Sequence, residues 1–135
     1  MDVNNAKQVE INVDIDIVTA RQEGRLLAAQ LGFSSSEQVL IATAISEAAR
    51  NIIQYAGKGA ILINAVEEGN RQGILIVVRD TGPGISDIEQ AMMDGYSSSG
   101  GLGLGLSGIK RLMSEMEIIS EPGKGTTLIM KRWKL

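Results

Sequence analysis

Apolar and polar residues alternate along this chain with two different periods, and each period predicts its own kind of element. Val9, Ile11, Val13, Ile15 and Ile17 alternate with Glu10, Asn12, Asp14 and Asp16, a period of two that predicts a half-buried strand. Over residues 19–31 the spacing lengthens to that of a helix with Ala20, Leu27 and Leu31 turned inward, and Gly32 closes it. Ser34 and Glu37 have the spacing of a capping box. They predict a longer helix running to about Tyr55 and stopped by Gly57, with Ile41, Ile45, Ala48 and Ile52 as its apolar stripe. Two β-branched runs, 60–66 and 74–79, flank a polar turn at 67–72 and predict a hairpin of central strands. A short amphipathic helix at 88–93 and a third helix at 106–115 follow. The chain closes with a strand at 117–120, a turn at 121–125 and a strand at 126–133. Strand and helix do not alternate as a parallel sheet requires. The predicted fold class is therefore α+β: a two-layer α/β sandwich whose mixed, mostly antiparallel sheet carries helices on one face.

Composition narrows the chemistry. The 135 residues suit a single domain, 1–135, large enough to bury a core without staples. Apolar residues make up 44% and aromatics only 3%, so that core must be aliphatic. The chain has no Cys and no His, which excludes disulfides, thiolate chemistry and imidazole ligands. Acid–base work then falls to carboxylates, Lys or Tyr, and a bound metal must be a hard cation with oxygen ligands. A net charge of −3 argues against nucleic acid as a partner. No apolar run reaches the roughly 18 residues of a membrane span, and the first residues lack a signal peptide's hydrophobic region. No membrane partner and a cytoplasmic location are expected.

Candidate chemistry gathers in the stretch 80–108. Asp80 ends a buried strand and is followed by Gly82, Pro83 and Gly84; Gly100, Gly101, Gly103, Gly105 and Gly108 close the stretch beyond a Tyr-Ser-Ser-Ser tract. Glycine is used where backbone must approach something closely, and two such clusters predict a pocket whose cover, about 94–105, closes on phosphates. An ionised Asp80 accepts hydrogen bonds only, which suits the exocyclic amine of adenine. Glu47 and Asn51, four residues apart, share one face of the second predicted helix. Gly103 to Gly108 also fits GxGxxG, but no hydrophobic strand precedes it and no carboxylate follows at the dinucleotide-binding distance. A Walker A sequence and the protein-kinase HRD and DFG motifs are absent.

ExxxN on a helix, DxGxG after a buried strand, GxGxG before a helix, and Gly125-Thr126 opening the last strand occur here in one order. In this the chain resembles the GHKL (Bergerat-fold) ATPases along nearly its whole length. The stretches ISEAARNIIQYAGKG, DTGPGI, DGYSSSGGLGLGLSGIKRLM and GKGT look most like the RsbT-type switch-protein serine/threonine kinases, relatives of the anti-sigma-factor kinases. The resemblance implies ATP and Mg²⁺ as cofactors. Asn51 would ligate the metal, Glu47 would be the catalytic base and Asp80 would bind the adenine amine. Gly82 and Gly84 would shape the base pocket, Thr126 would support the adenine, and Gly101, Gly103 and Gly105 would cover the phosphates. Arg50, Lys110 and Arg111 are candidate phosphate or partner contacts, each equally suited to a solvated basic surface. The implied substrates are STAS-domain proteins, RsbS- and RsbR-like subunits of a stressosome-like complex, with a downstream effector such as an RsbU-like phosphatase. The alternative is a nucleotide-gated anti-sigma or effector-binding module with little kinase activity. A self-contained histidine kinase is excluded, because there is no His to phosphorylate.

Overall fold

The computed structural model describes residues 6–81, 105–121 and 123–134. They form strands β1 (Lys7–Ile11), β2 (Gly59–Glu68), β3 (Arg71–Asp80), β4 (Glu115–Glu121) and β5 (Gly125–Trp133), and helices α1 (Asp14–Gln30), α2 (Ser35–Tyr55) and α3 (Gly105–Leu112). The strands lie in the order β1-β2-β3-β5-β4, and every described pairing is antiparallel. The expected α+β sandwich is borne out, with the antiparallel share complete among the described pairs.

Side-chain parity decides which face of the sheet is covered. Ile61 pairs with Val78, Ile63 with Ile76, and these in turn with Leu128 and Met130. All six are buried, together with Ile41, Ile45, Ala48 and Ile52 of α2. Each fully buried isoleucine contributes about 1.5–3 kcal/mol, so this seam between α2 and the central strands dominates the core. Residues of the opposite parity, Leu62, Leu75, Val77 and Ile129, are only half-buried, so the helices cover one face. Helix α1 packs closely on α2: a Cβ on Gly24 would lie 2.0 Å from Ile45 Cδ1.

The capping box that opens α2 is formed as expected. Ser34 Oγ accepts from the Glu37 amide at 3.2 Å, and Glu37 Oε1 accepts from the Ser34 amide at 3.4 Å. At the other end the amides of Ala56 and Gly57 both donate to the Ile52 carbonyl, at 2.9 and 2.8 Å, with Gly57 at φ 85°. That pattern is the left-handed cap that stops a helix.

Three expected boundaries move. The strand expected to reach Ile17 stops at Ile11, and α1 begins at Asp14. Asp16 Oδ2 accepts from the amides of Asn12 and Val13 at 2.8 and 3.0 Å, satisfying donors at the helix start, and its charge suits the helix N-terminus. Val13 and Ile15 are left 56% and 64% exposed, while Ile17 joins the core from the helix. The β2–β3 hairpin is tighter than expected, with Glu67 paired to Gln72 and Glu68 to Arg71. Gln72 Nε2 donates to Glu67 Oε1 at 3.1 Å, so polar side chains extend the ladder and only Gly69-Asn70 remain as the turn. Helix α3 ends at Leu112 rather than 115. The Ser114 amide donates to the Lys131 carbonyl at 2.8 Å, and the Trp133 indole to Glu115 Oε2 at 2.6 Å, drawing Glu115 into the sheet. The short helix expected at 88–93 lies outside the described residues.

The two amide hydrogen bonds from Asn12 and Val13 hold the Asp16 carboxyl below its ordinary value. A depressed folded-state pKa stabilises above the ordinary carboxylate range, and the contribution is lost as pH falls through the folded value. Asp16→Ala should therefore lower Tm in neutral solution, and the gap from wild type should narrow in acid. Thermal melts across pH test this; a gap that does not narrow would assign the loss to something other than the carboxylate.

Candidate functional site

Helix α2 presents three polar residues beside its buried stripe. Glu47 is largely covered, with 12% of its side chain exposed, and pairs with Arg50 Nη1 at 2.5 Å, whereas the Arg50 side chain is 48% exposed. A charge-assisted bond orients the carboxylate, although an i,i+3 pair whose arginine half is exposed adds only about 0.3–0.5 kcal/mol. Asn51 is half-buried, one turn beyond Glu47. None of the side-chain hydrogen bonds found among the described residues engages its amide, so its oxygen is available as a neutral, hard donor.

A second group sits where β3 ends. Asp80 pairs with Gly59 of β2 on one side and with Thr126 of β5 on the other, and Thr126 pairs in turn with Ser120 of β4. Register partners point to the same face, and Asp80 shares parity with Val78, so this row faces the helices. Asp80 Oδ1 accepts from the Thr126 amide at 3.2 Å. Ser120 Oγ lies 3.0 Å from Thr126 Oγ1 and donates to the Gly125 carbonyl at 3.2 Å. The corner closes only because residue 125 is glycine. Its φ is +91°, and a Cβ there would lie 2.2 Å from the Asp80 carbonyl oxygen.

Two contacts bring these groups to one end of the molecule. Ile52 Cγ2 would lie 3.0 Å from a Cβ on Gly59, so the part of α2 that carries Asn51 lies over the edge where Asp80 stands. At the opposite end, Arg132 Nη1 donates to the Leu112 carbonyl at 2.6 Å, and Arg132 Nε faces Glu37 Oε2 at 3.7 Å. Helix α3 thus finishes beside the start of α2. Its first residue is Gly105, and α3 packs against α2. The positive end of a helix dipole favours anions.

Asn51, Asp80 and Thr126 are therefore gathered at one end of the sheet, with Glu47 one helical turn back along α2. Lys110 and Arg111 lie exposed in the last turn of α3, away from Gly105. Gly82, Gly84, Gly101 and Gly103 fall outside the described residues. Ser120 and Gly125 were not on the candidate list from the sequence. Gly125 carries a signal, since it precedes Thr126 in GKGT; a lone serine at a strand end carries none. Among the described residues no cluster of three or more Asp and Glu side chains could hold a metal.

The family model described as histidine kinase-, DNA gyrase B-, and HSP90-like ATPase matches residues 36–135. The chain belongs to that family. It is 50% identical over 131 residues to the serine/threonine-protein kinase RsbT of Bacillus subtilis (strain 168), covering 97% of this chain and 98% of that one. It is 39% identical over 120 residues to the anti-sigma F factor of Thermoanaerobacter sp. (strain X514), covering 84% and 82%. Among solved structures, the mycobacterial sensor histidine kinase MprB gives a TM-score of 0.56 at 15% identity, covering 94% of this chain and 96% of that chain, a likeness of fold alone. The resemblance read from the motifs is borne out by the family match and by the likeness to RsbT.

Gly125→Ala tests the Asp80–Thr126 corner. Left-handed backbone strain alone costs about 1–3 kcal/mol, and the contact with the Asp80 carbonyl adds to it. The expected result is a clear drop in urea midpoint together with weakened adenine-nucleotide binding. Unchanged values for both would mean that the backbone at residue 125 is not the one described.

Proposed function

We propose that this chain is an ATP-dependent protein serine/threonine kinase whose substrates are STAS-domain proteins. The observation that carries the reading is the 50% identity to a serine/threonine-protein kinase along almost the full length of both chains. The gathering of Glu47, Asn51 and Asp80 toward one end of the sheet supports it.

In this reading Asp80 accepts from the adenine amine, with Thr126 beside it. Gly82 and Gly84 line the base pocket, and Gly101, Gly103 and Gly105 lie over the phosphates. The substrate hydroxyl oxygen bonds to the γ-phosphorus as the bond from that phosphorus to the β–γ bridging oxygen breaks, and ADP leaves with the electron pair. Glu47 takes the hydroxyl proton, oriented by its bond from Arg50. The donor set fits Mg²⁺, which needs few protein ligands and keeps waters and phosphate oxygens; Asn51 would supply the protein oxygen. Mg²⁺, when bound, neutralises phosphate charge, and phosphoryl transfer asks mainly for that and for positioning. Arg50, Lys110 and Arg111 are candidate contacts for phosphate or for the partner protein. Substrates of this kind place the kinase in a partner-switching module in the cytoplasm, with RsbS- and RsbR-like scaffold subunits as targets and an RsbU-like phosphatase as the effector bound after release. No helix among the described residues is long and apolar enough to cross a membrane.

A second reading is a nucleotide-gated module that binds a sigma factor or effector with little kinase activity. The 39% identity to an anti-sigma F factor favours it, and the presence of both Glu47 and Asn51 favours the kinase.

Incubation with labelled ATP, Mg²⁺ and purified STAS-domain proteins, followed by mapping of phosphorylated residues, separates the two. Transfer to a Ser or Thr is expected from the wild type and none from Asn51→Ala. Glu47→Gln should keep nucleotide binding while transfer falls by about 10²–10⁴-fold, the usual effect of losing a general base. Tight ATP binding without transfer to any STAS protein would favour the second reading, and absence of ATP binding would defeat both.

A further inference from the structure

We propose that Arg132 and Glu37 are positioning residues for the triphosphate. Together they fix α3, whose first residue is Gly105, and so set how much of the affinity for ATP comes from its phosphates. The inference rests on the reading that Gly105 lies over the phosphates and goes beyond it, because both residues act at the other end of α3.

A helix leaves its last carbonyls without donors of their own, and α3 has only eight residues, Gly105–Leu112. Arg132 supplies one missing donor from β5: its Nη1 reaches the Leu112 carbonyl at 2.6 Å, and its charge suits the negative end of a helix. Just beyond, the Ser114 amide donates to the Lys131 carbonyl at 2.8 Å and the Trp133 amide to Ser114 Oγ at 3.0 Å. On the other side of the guanidinium, Arg132 Nε faces Glu37 Oε2 at 3.7 Å. That is too far for a hydrogen bond, and neither atom has such a partner among the described residues. Both atoms are buried, so their charges are poorly screened and the carboxylate steers the guanidinium. Glu37 Oε1 meanwhile accepts from Ser34 in the capping box of α2. One carboxylate thus links the start of α2 to the end of α3.

The remaining hold on α3 is largely apolar. Ile109 and, just past the helix, Met113 are buried in the core. Apolar burial is non-directional, so it keeps α3 on the core without specifying its place along its own axis. A hydrogen bond is directional and does specify it. The strand that carries Arg132 also carries Thr126, six residues earlier and on the same helix-facing side. At about 3.3 Å per residue, β5 sets this anchor roughly 20 Å from the corner where Thr126 meets Asp80. A nucleotide whose base sits in that corner therefore meets α3 only where the anchor puts it. Without the Arg132 bond the base corner is untouched and the bonds at Ser114 remain, so α3 is loosened rather than released. A misplacement of about 1 Å caused by a distant residue can cost about 10²-fold.

Calorimetry on the full chain in Mg²⁺, with ATP titrated directly and AMP by displacement, tests this on wild type, Arg132→Met, Arg132→Lys and Glu37→Gln. AMP carries the same base and sugar, so the ratio of the two Kd values isolates the outer phosphates. Methionine keeps an apolar stem alone, and lysine keeps the charge without the fork. Glutamine preserves the capping box and removes only the charge facing Arg132, so it and the lysine variant carry the test should Arg132→Met fold poorly. Wild type should favour ATP. Arg132→Met should lose about tenfold or more of that preference, through weaker ATP binding with AMP within about twofold of wild type. Arg132→Lys and Glu37→Gln should move the same way by less. A ratio unchanged in the variants of either residue would overturn the role of that residue while leaving the nucleotide site standing. Equal losses for ATP and AMP would mark a merely structural part and overturn it as well. A wild-type chain that binds ATP no better than AMP would instead remove the phosphate reading, and this inference with it.

Discussion

The seam where α2 lies on β2 and β3 is the constraint on which the rest depends. Among the described residues, the largest fully buried side chains are isoleucines with the exception of Met130, and most of them line this seam or the strands beneath it. Branched aliphatic side chains in fixed rotamers interlock closely, so they define the roll of the helix as well as its position. Successive residues of a helix differ by about 100° in direction. A helix rolled by one residue would turn Glu47 and Asn51 away from the Asp80 end. The placement of two polar residues is thus secured by apolar packing that never touches a ligand.

How much of this was legible in the sequence depended on whether the relevant forces were local. Helix α2 could be read because its cap, stripe and terminal glycine all lie within its own span. The β2–β3 hairpin could be read from its β-branched runs, but its true length rests on the Glu67–Gln72 and Glu68–Arg71 pairs across the turn. Around Asp14 and Asp16 a local pattern misled. The alternation of Val13, Ile15 and Ile17 imitates a strand, and the helix wins because Asp16 satisfies the amides of Asn12 and Val13. The end of α3 depends on Arg132 and Lys131 of β5, partners far along the chain that no window on residues 106–115 contains.

The site shows the same division. Glu47, Asn51 and Asp80 stood out in the residues themselves, Thr126 only through the resemblance, and the structure brings these four toward one end of the sheet. The hydrogen bond from Thr126 to Asp80 spans 46 positions, and Ser120 joins it through strand register alone. Its place in the corner follows from the antiparallel pairing of β4 and β5, which periodicity predicts only as a hairpin, without the register. The relatives named as a kinase and as an anti-sigma factor share this scaffold with the present chain, so what separates them must lie in the few side chains at this end or in surfaces that meet other proteins.

Arg132 ties the last carbonyl of α3 to the neighbourhood of Glu37, in the first turn of α2. Mechanically, α3 is held at two places, by this hydrogen bond at Leu112 and by Ile109, which is fully buried in the core. A tilt of α3 would drag Ile109 through the aliphatic packing it shares with α2. Because such packing transmits strain, the point where the chain enters α3 is coupled to the groups anchored on α2.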